Sequence, residues 1–482
     1  MSAPLWTVDA MAAAMRAVRV GALPEAIEGV SIDSRSVAPG EAYFAIKGDT
    51  HDGHAFVAAA LANGAGLAVV AEGKRGEMPA DAPLLVVPDV LAGLADLAAA
   101  ARARSEGKII AVTGSVGKTS SKEALRLALS RDGETHASVA SFNNHWGVPL
   151  SLARLPQRAR YGVFEIGMNH AGEITPLTRL VRPDVAIVTT VAPVHLEFFG
   201  SLAAIADAKA EIFLGVAPGG AAVINRDNEQ FARLKKAAAA AGVARIVAFG
   251  EHRSADARLI RYALQPEAST VEANILGHHV AYKIGAPGRH LVLNSLAVLA
   301  AAALAGADLA LVALALADQT PAAGRGTRIA LAVPGGSALL IDESYNANPA
   351  SMRAALALLG QATVGARGRR IAVLGDMLEL GAAGAELHRE LAAAVREHAI
   401  DLVFCAGPLM QALWQALPSE RRGGYAKDAG ALEGEVVAAI RGGDAVMVKG
   451  SFGSRMAPIV KALVRRYPAP AAAAQARVPV QG

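Results

Sequence analysis

The chain has 482 residues and a single cysteine, Cys405, so an intrachain disulfide is excluded. Cys405 lies in the apolar run LVFCAG and reads as a buried strand residue. Aromatic residues make up only 4%, and the net charge is +4 with both signs interspersed and no long basic run. A nucleic-acid surface needs clustered cations and stacking aromatics, so that class of partner is set aside. Long apolar runs are also missing. The nearest approach, residues 291–316, is broken by Asn294, Gly306 and Asp308 and reads as buried helices, so no membrane insertion is expected. Residues 1–10 carry neither a basic start nor a following apolar core, which predicts a soluble, cytoplasmic chain. No sustained exposed heptad pattern appears, and a monomer is expected.

What is present is length and rhythm. A chain of this size suggests about three domains. The first block runs over residues 1–88, with short strands, turn residues and one helix near residues 54–63. The second, residues 89–320, opens with a linking helix and then alternates apolar strands with helices: KIIAVT, YGVFEIG, VAIVTTV, AAVIN, RIVAFG. Residues 258–284 alternate differently and read as an antiparallel appendage. The third, residues 321–467, repeats the strand–helix rhythm through ALLIDES, RRIAVLGD, DLVFCAG and DAVMVKG. Residues 468–482 are rich in Pro and Ala and read as a disordered tail. The predicted fold is α/β throughout. A small N-terminal α/β domain precedes a central, mostly parallel sheet of the phosphate-loop ATPase type and a C-terminal Rossmann-like doubly wound domain.

The strongest local signal is KIIAVTGSVGKT, residues 108–119. A strand runs into a glycine turn, then Lys-Thr, then a helix-forming segment. Gly114 and Gly117 let backbone N–H groups close on phosphate oxygens, and the helix N-terminus adds positive potential. Lys118 can reach the outer phosphates and the Thr119 hydroxyl can sit on Mg²⁺. Val112 stands where the longer form of this loop has its first glycine.

Ligands of open α/β sheets bind beyond the carboxyl ends of the strands. Glu165 ends one strand and His195 follows another, each beside the predicted phosphate loop; both are metal-capable. Read alone, Glu165 is a solvated strand end and His195 a hydrogen-bonded loop histidine. SFNNHWGVPL reads as a loop carrying Asn143 and Asn144, and Lys209 as a surface lysine beside Asp207 and Glu211. In the third block DESYNANPASM, GDMLELG and KGSFGSRM end three strands on one rim, where Lys449 and Arg455 suit an anionic group.

Together these segments resemble the Mur ligases, the ATP-dependent amide-bond-forming enzymes of peptidoglycan precursor synthesis. TGSVGKT is similar to that family's short phosphate loop, and SIDSRSVAPGEAYFAIKGDTHDGHAF (residues 31–56) to its uridine-nucleotide domain. FNNHWGVPLSL, EIGMNHAGEI, DESYNANPASM and GDMLELG are similar to the branch that adds D-alanyl-D-alanine to UDP-N-acetylmuramoyl-tripeptide. The resemblance spans nearly the whole chain.

It implies ATP and Mg²⁺ as cofactors. Thr113, Gly114, Ser115, Val116, Gly117, Lys118 and Thr119 would cradle the nucleotide, with Asn294, Arg325, Asp342 and Asn346 completing its site. Thr119, Glu165 and His195 would hold the metal. Lys118, Glu165, His195 and Lys209 carry catalytic roles, and Lys209 matches a lysine often carbamylated in the superfamily. Ser34, Arg35, Asn143, Asn144, Asn348 and Lys449 would bind substrate, residues 1–88 forming the UDP-substrate domain. The chemistry implied is phosphorylation of the tripeptide carboxylate, then attack by the dipeptide amine. Other readings are a folate-type or sister ligase of the same superfamily, a phosphate-loop switch without a covalent product, and a nucleotide-binding structural protein.

Overall fold

The computed structural model describes residues 3–48, 50–139, 141–194 and 196–469. Of the expected tail, residues 470–482 lie outside the described residues, whereas the Pro468 carbonyl accepts from the Ala332 N–H at 3.3 Å.

A nine-stranded sheet forms the centre. Its spatial order is His278–Ile284, Ser269–Ile275, Ala257–Leu264, Arg245–Gly250, Ala221–Asn225, Val185–Val188, Lys108–Thr113, Tyr161–Glu165, Thr135–Ala137. Strand Lys108–Thr113 pairs in parallel with both Tyr161–Glu165 and Val185–Val188, so three strand ends meet on one rim. Successive side chains of a strand point to opposite faces, and a doubly covered sheet needs apolar residues on both. Ile110 and Val112 accordingly enter one core with the helix Arg289–Leu304, while Ile109 and Ala111 enter the other. The segment expected as an appendage is instead continuous with this sheet. Ala257–Leu264 pairs in parallel with Arg245–Gly250, and two antiparallel pairings then extend the edge.

The third block carries a six-stranded sheet in the order Thr327–Val333, Gly336–Glu343, Ala445–Lys449, Arg370–Gly375, Leu402–Ala406, Arg422–Ala426. The four strands expected from sequence are its centre. The two edge strands were not anticipated: Thr327–Val333 is antiparallel and half exposed, and Arg422–Ala426 holds two glycines. Cys405 is buried in its strand. The first block holds a five-stranded sheet with one antiparallel edge, Val18–Val20, and a small two-stranded ribbon.

Side-chain and backbone contacts tie the blocks together. The linking helix Val90–Arg104, with Leu150 and Ala153, shares a core with Met11, Ile27 and Val30 of the first block. The Trp6 indole donates to the Ala153 carbonyl at 2.9 Å beneath the Arg104 guanidinium, which stacks 3.3 Å from the ring centre. On the other side, Glu197 N–H donates to the Glu379 carbonyl at 3.3 Å, and Arg325 donates to Ser141 Oγ at 3.4 Å. The carboxyl-end loops of the second and third sheets therefore face one another.

Candidate active site

The phosphate loop is built around two glycines at positive φ, where any side chain would be strained. Gly114 has φ 149°, and a Cβ there would collide with Thr189 Oγ1. Gly117, at φ 89°, opens the helix Lys118–Leu129, and its Cβ would meet Asn294 Nδ2 at 2.5 Å. The loop is strapped to the neighbouring strand end. Ser115 N–H donates to the Thr190 carbonyl at 2.8 Å, and Thr189 Oγ1 donates to the Val116 carbonyl at 2.6 Å. Ser115 Oγ both donates to and accepts from the Ala192 backbone at 3.0 Å. Thr113 Oγ1 is buried and has no partner among the described residues. Lys118 folds back so that Nζ donates to the Gly114 carbonyl at 2.5 Å. Burial lowers the Lys118 pKa, the Arg325 charge adds to that, and Glu165 opposes it.

Glu165 is 1% exposed at the end of its strand. Its Oε2 accepts from Thr119 Oγ1 at 2.8 Å and its Oε1 from Asn143 Nδ2 at 2.7 Å. Both donors to this buried carboxylate are neutral, and it forms no ion pair with any described residue, so its oxygens are not committed to a protein cation. A threonine hydroxyl and a carboxylate are hard oxygens, and Mg²⁺ takes one or two such protein ligands plus substrate phosphates. The pair therefore fits nucleotide-bound Mg²⁺. No group of three His, Cys, Asp or Glu that could hold a metal occurs among the described residues. His195 lies outside the described residues.

Lys209 corrects the surface-lysine reading. It is 3% exposed on the helix Leu202–Ala210 and makes no side-chain hydrogen bond or ion pair with a described residue. Asp207 pairs with Arg233 at 2.9 Å, and Glu211 accepts from Gly172 and Thr175, so neither serves Lys209. Burial first, and the Lys118 charge second, push its pKa well below the ordinary lysine range. Lys118 and Lys209 thus lie near each other, and Glu165 is the acid whose charge acts on Lys118.

The third-block residues are placed differently. Lys449, 2% exposed, pairs with Glu343 Oε2 at 2.9 Å and donates to the Asn346 carbonyl at 3.0 Å. Glu343 went unnoticed in the sequence; the only signal was a second acid after Asp342. Asp342 Oδ1 accepts from the N–H and hydroxyl of Ser344, and Asn346 Oδ1 from Ala347 N–H. Asn348 closes a capping box with Ser351 at the start of the helix Pro349–Gly360, so its side chain is occupied by the fold. Asn144 likewise accepts from Gly147 N–H at 2.9 Å, at the start of the helix Gly147–Ala153. Arg325 lies over the Tyr345 ring at 4.3 Å as well as touching Ser141. Asn294 packs on Gly117, and His290, one turn earlier on the same helix, feels the charges of Glu343 and Lys449. That helix links the two rims.

In the first block the Ser34 carbonyl accepts from Asn63 Nδ2 at 2.8 Å. Arg35 pairs with Asp33 at 2.7 Å, and its side-chain hydrogen bond holds the Asp33 carboxyl at about 2.

The comparisons with known proteins agree with this geometry. Residues 26–102 match the Mur ligase family catalytic domain, residues 112–302 the Mur ligase middle domain, and residues 324–452 the Mur ligase glutamate ligase domain. The chain is 34% identical over 439 residues to the UDP-N-acetylmuramoyl-tripeptide–D-alanyl-D-alanine ligase of Escherichia coli (strain K12), covering 91% of this chain and 94% of the relative. The chain belongs to the Mur ligase family. This Mur ligase is also 32% identical to the Rickettsia prowazekii protein of the same name, over 89% and 94% of the two chains. Among solved structures, MurF from Acinetobacter baumannii matches with a TM-score of 0.81 at 30% identity, covering 96% of this chain and 100% of that one. MurF ligase from Thermotoga maritima in complex with ADP matches at 0.73 and 25% identity, covering 91% and 97%.

Proposed function

We propose that this Mur ligase joins D-alanyl-D-alanine to UDP-N-acetylmuramoyl-tripeptide, consuming ATP and releasing ADP and phosphate. The observation that carries the reading is the buried Thr119–Glu165 pair beside Lys118 at the glycine loop, in a chain 30–34% identical to ligases of that name over most of its length. A carboxylate is a poor electrophile, so the tripeptide's terminal carboxylate oxygen first takes the γ-phosphoryl group and ADP leaves. The dipeptide amine then attacks the acyl carbon, forming the amide bond. The C–O bond to phosphate breaks, and the amine's extra proton passes to solvent.

Each residue has a task in that sequence. Backbone N–H groups of residues 114–118 and the Lys118 ammonium hold the phosphates and offset their repulsion of the approaching carboxylate. Thr119 and Glu165, with His195, would hold Mg²⁺, which supplies charge neutralisation between the phosphates. Lys209, buried near Lys118, would if carbamylated offer a carboxylate to the same metal. Arg325 reaches across from the third block toward Lys118. Closure of that block excludes water from the acyl phosphate. Residues 1–88 would take the uridine nucleotide, with Ser34 and Arg35 at its diphosphate. No helix among the described residues is long and apolar enough to cross a membrane.

The test supplies ATP, Mg²⁺, the UDP-linked tripeptide and D-alanyl-D-alanine, and weighs the product. Pentapeptide formation with ADP release dependent on both co-substrates is expected. ADP release indifferent to them would point to a nucleotide switch instead.

A further inference from the structure

One fully buried charge has no task in that scheme. Lys122 lies on the inward face of the helix that begins at Lys118, and its side chain is entirely shielded from solvent. Desolvating an ammonium costs several kcal/mol unless partners compensate, and an apolar residue would pack there without that cost. Lys122 Nζ donates to the Ser138 carbonyl at 2.6 Å and pairs with Glu123 Oε1 at 2.8 Å.

The carbonyl it holds opens a short segment with two further attachments. Beyond the strand Thr135–Ala137 come Ser138, then Ser141, which accepts from Arg325 of the third block, and Asn143, which donates to Glu165 Oε1. The Asn143 carbonyl also accepts from Gly167 N–H at 2.8 Å, and a Cβ on Gly167 would stand 2.8 Å from the Asn143 side chain. The segment is thus bonded to the phosphate-loop helix, the third block and the strand end bearing the buried carboxylate.

We propose that Lys122 is a positioning residue for the metal-binding carboxylate. It fixes the Ser138 backbone to the phosphate-loop helix, so that Asn143 holds one oxygen of Glu165 and leaves the other beside Thr119 for the cation. The inference rests on the reading of Thr119 and Glu165 as the Mg²⁺ site.

Its test needs no turnover. ADP binding to the full chain is titrated calorimetrically against Mg²⁺ for wild type, Lys122→Met, Asn143→Ala and the double variant. Lys122→Met is expected to raise the Mg²⁺ midpoint about tenfold, the usual scale for groups that orient a metal ligand, with metal-free ADP binding unchanged. Because Lys122 acts through Asn143, the double variant should match Asn143→Ala alone. Lys122→Arg, which keeps the charge and donors, should restore part of the loss. Should Lys122→Met not fold, Glu123→Gln takes its place in the same cycle with the same non-additive expectation. A wild-type midpoint in either variant, or additive effects, overturns the proposal. ADP binding by wild type with no Mg²⁺ dependence would sink the site reading and this inference with it.

Discussion

The two strand-end rims that face each other differ in what their polar side chains are bonded to. Among the described residues of the central rim, Lys118 is held by a backbone carbonyl, Lys209 by no side chain, and Glu165 by neutral donors. On the third-block rim Lys449 has Glu343, Asp342 has Ser344, and Asn348 has the first turn of its helix. Buried charge without a bonded counter-charge is costly, and on the proposed function the central rim is the one that would receive charged ligands. The other rim is complete in itself and suits closing over a neighbour rather than supplying bare charge. Catalytic polarity and structural polarity look alike as residue types; their partners distinguish them.

The sharpest way to break this contrast is at Lys118. Replacing it with alanine removes the cation of the loop and leaves the positive-φ Gly114 and Gly117 turns in place. Pentapeptide formation should fall by about 10³-fold or more, the upper range for loss of one preorganised donor. The melting temperature should hold, because the lost ammonium was itself disfavoured by burial. Near-wild-type turnover would remove Lys118 from the chemistry.

Lys209 offers a smaller and more diagnostic effect. Its folded pKa is lowered, so between that value and the ordinary lysine range the unfolded chain binds more protons than the folded one. Stability therefore rises with pH across that window, and falls as pH drops toward neutrality. Lys209→Met should flatten part of this rise, the remainder coming from Lys118, whose shift has the same sign. At neutral pH the variant should melt no lower than wild type, while turnover drops by about 10²-fold. A lower melting temperature with turnover kept would make Lys209 structural, and the contrast between the rims would fail there.

Much of this architecture was legible because it follows from periodicity. The parallel strands KIIAVT, YGVFE and VAIV read as apolar runs, being buried on both faces. The edges were not. Thr327–Val333 leaves Ala330 and Ala332 exposed, and alanine is a weak marker of a strand. Arg422–Ala426 carries Gly423 and Gly424, which lack a side chain to pack. The phosphate loop was legible because glycine there is forced by geometry. The burial of Lys122 and Lys209 was not, since a lysine on a helix is ordinarily solvated and only tertiary packing turns it inward. Nor could the sequence distinguish Asn143, which holds Glu165, from Asn144 beside it, which bonds to Gly147 N–H.

The mildest prediction tests the self-sufficient rim. Asn348 was expected to contact substrate, yet its side chain accepts from Ser351 N–H at 2.9 Å, and Ser351 Oγ accepts from Asn348 N–H at 3.0 Å. Removing such a cap costs about 1 kcal/mol of stability. Asn348→Ala should therefore lower the denaturation midpoint by that amount, while KM for D-alanyl-D-alanine changes by less than about threefold, a shift worth well under 1 kcal/mol. Asn348→Ser, which keeps an N-cap oxygen, should recover most of the stability. If stability instead holds and KM rises tenfold or more, a change of about 1.4 kcal/mol in binding, the Asn348 amide meets substrate after all. The third-block rim would then be a binding surface as much as a frame, since its helix start would have to open to let the ligand in.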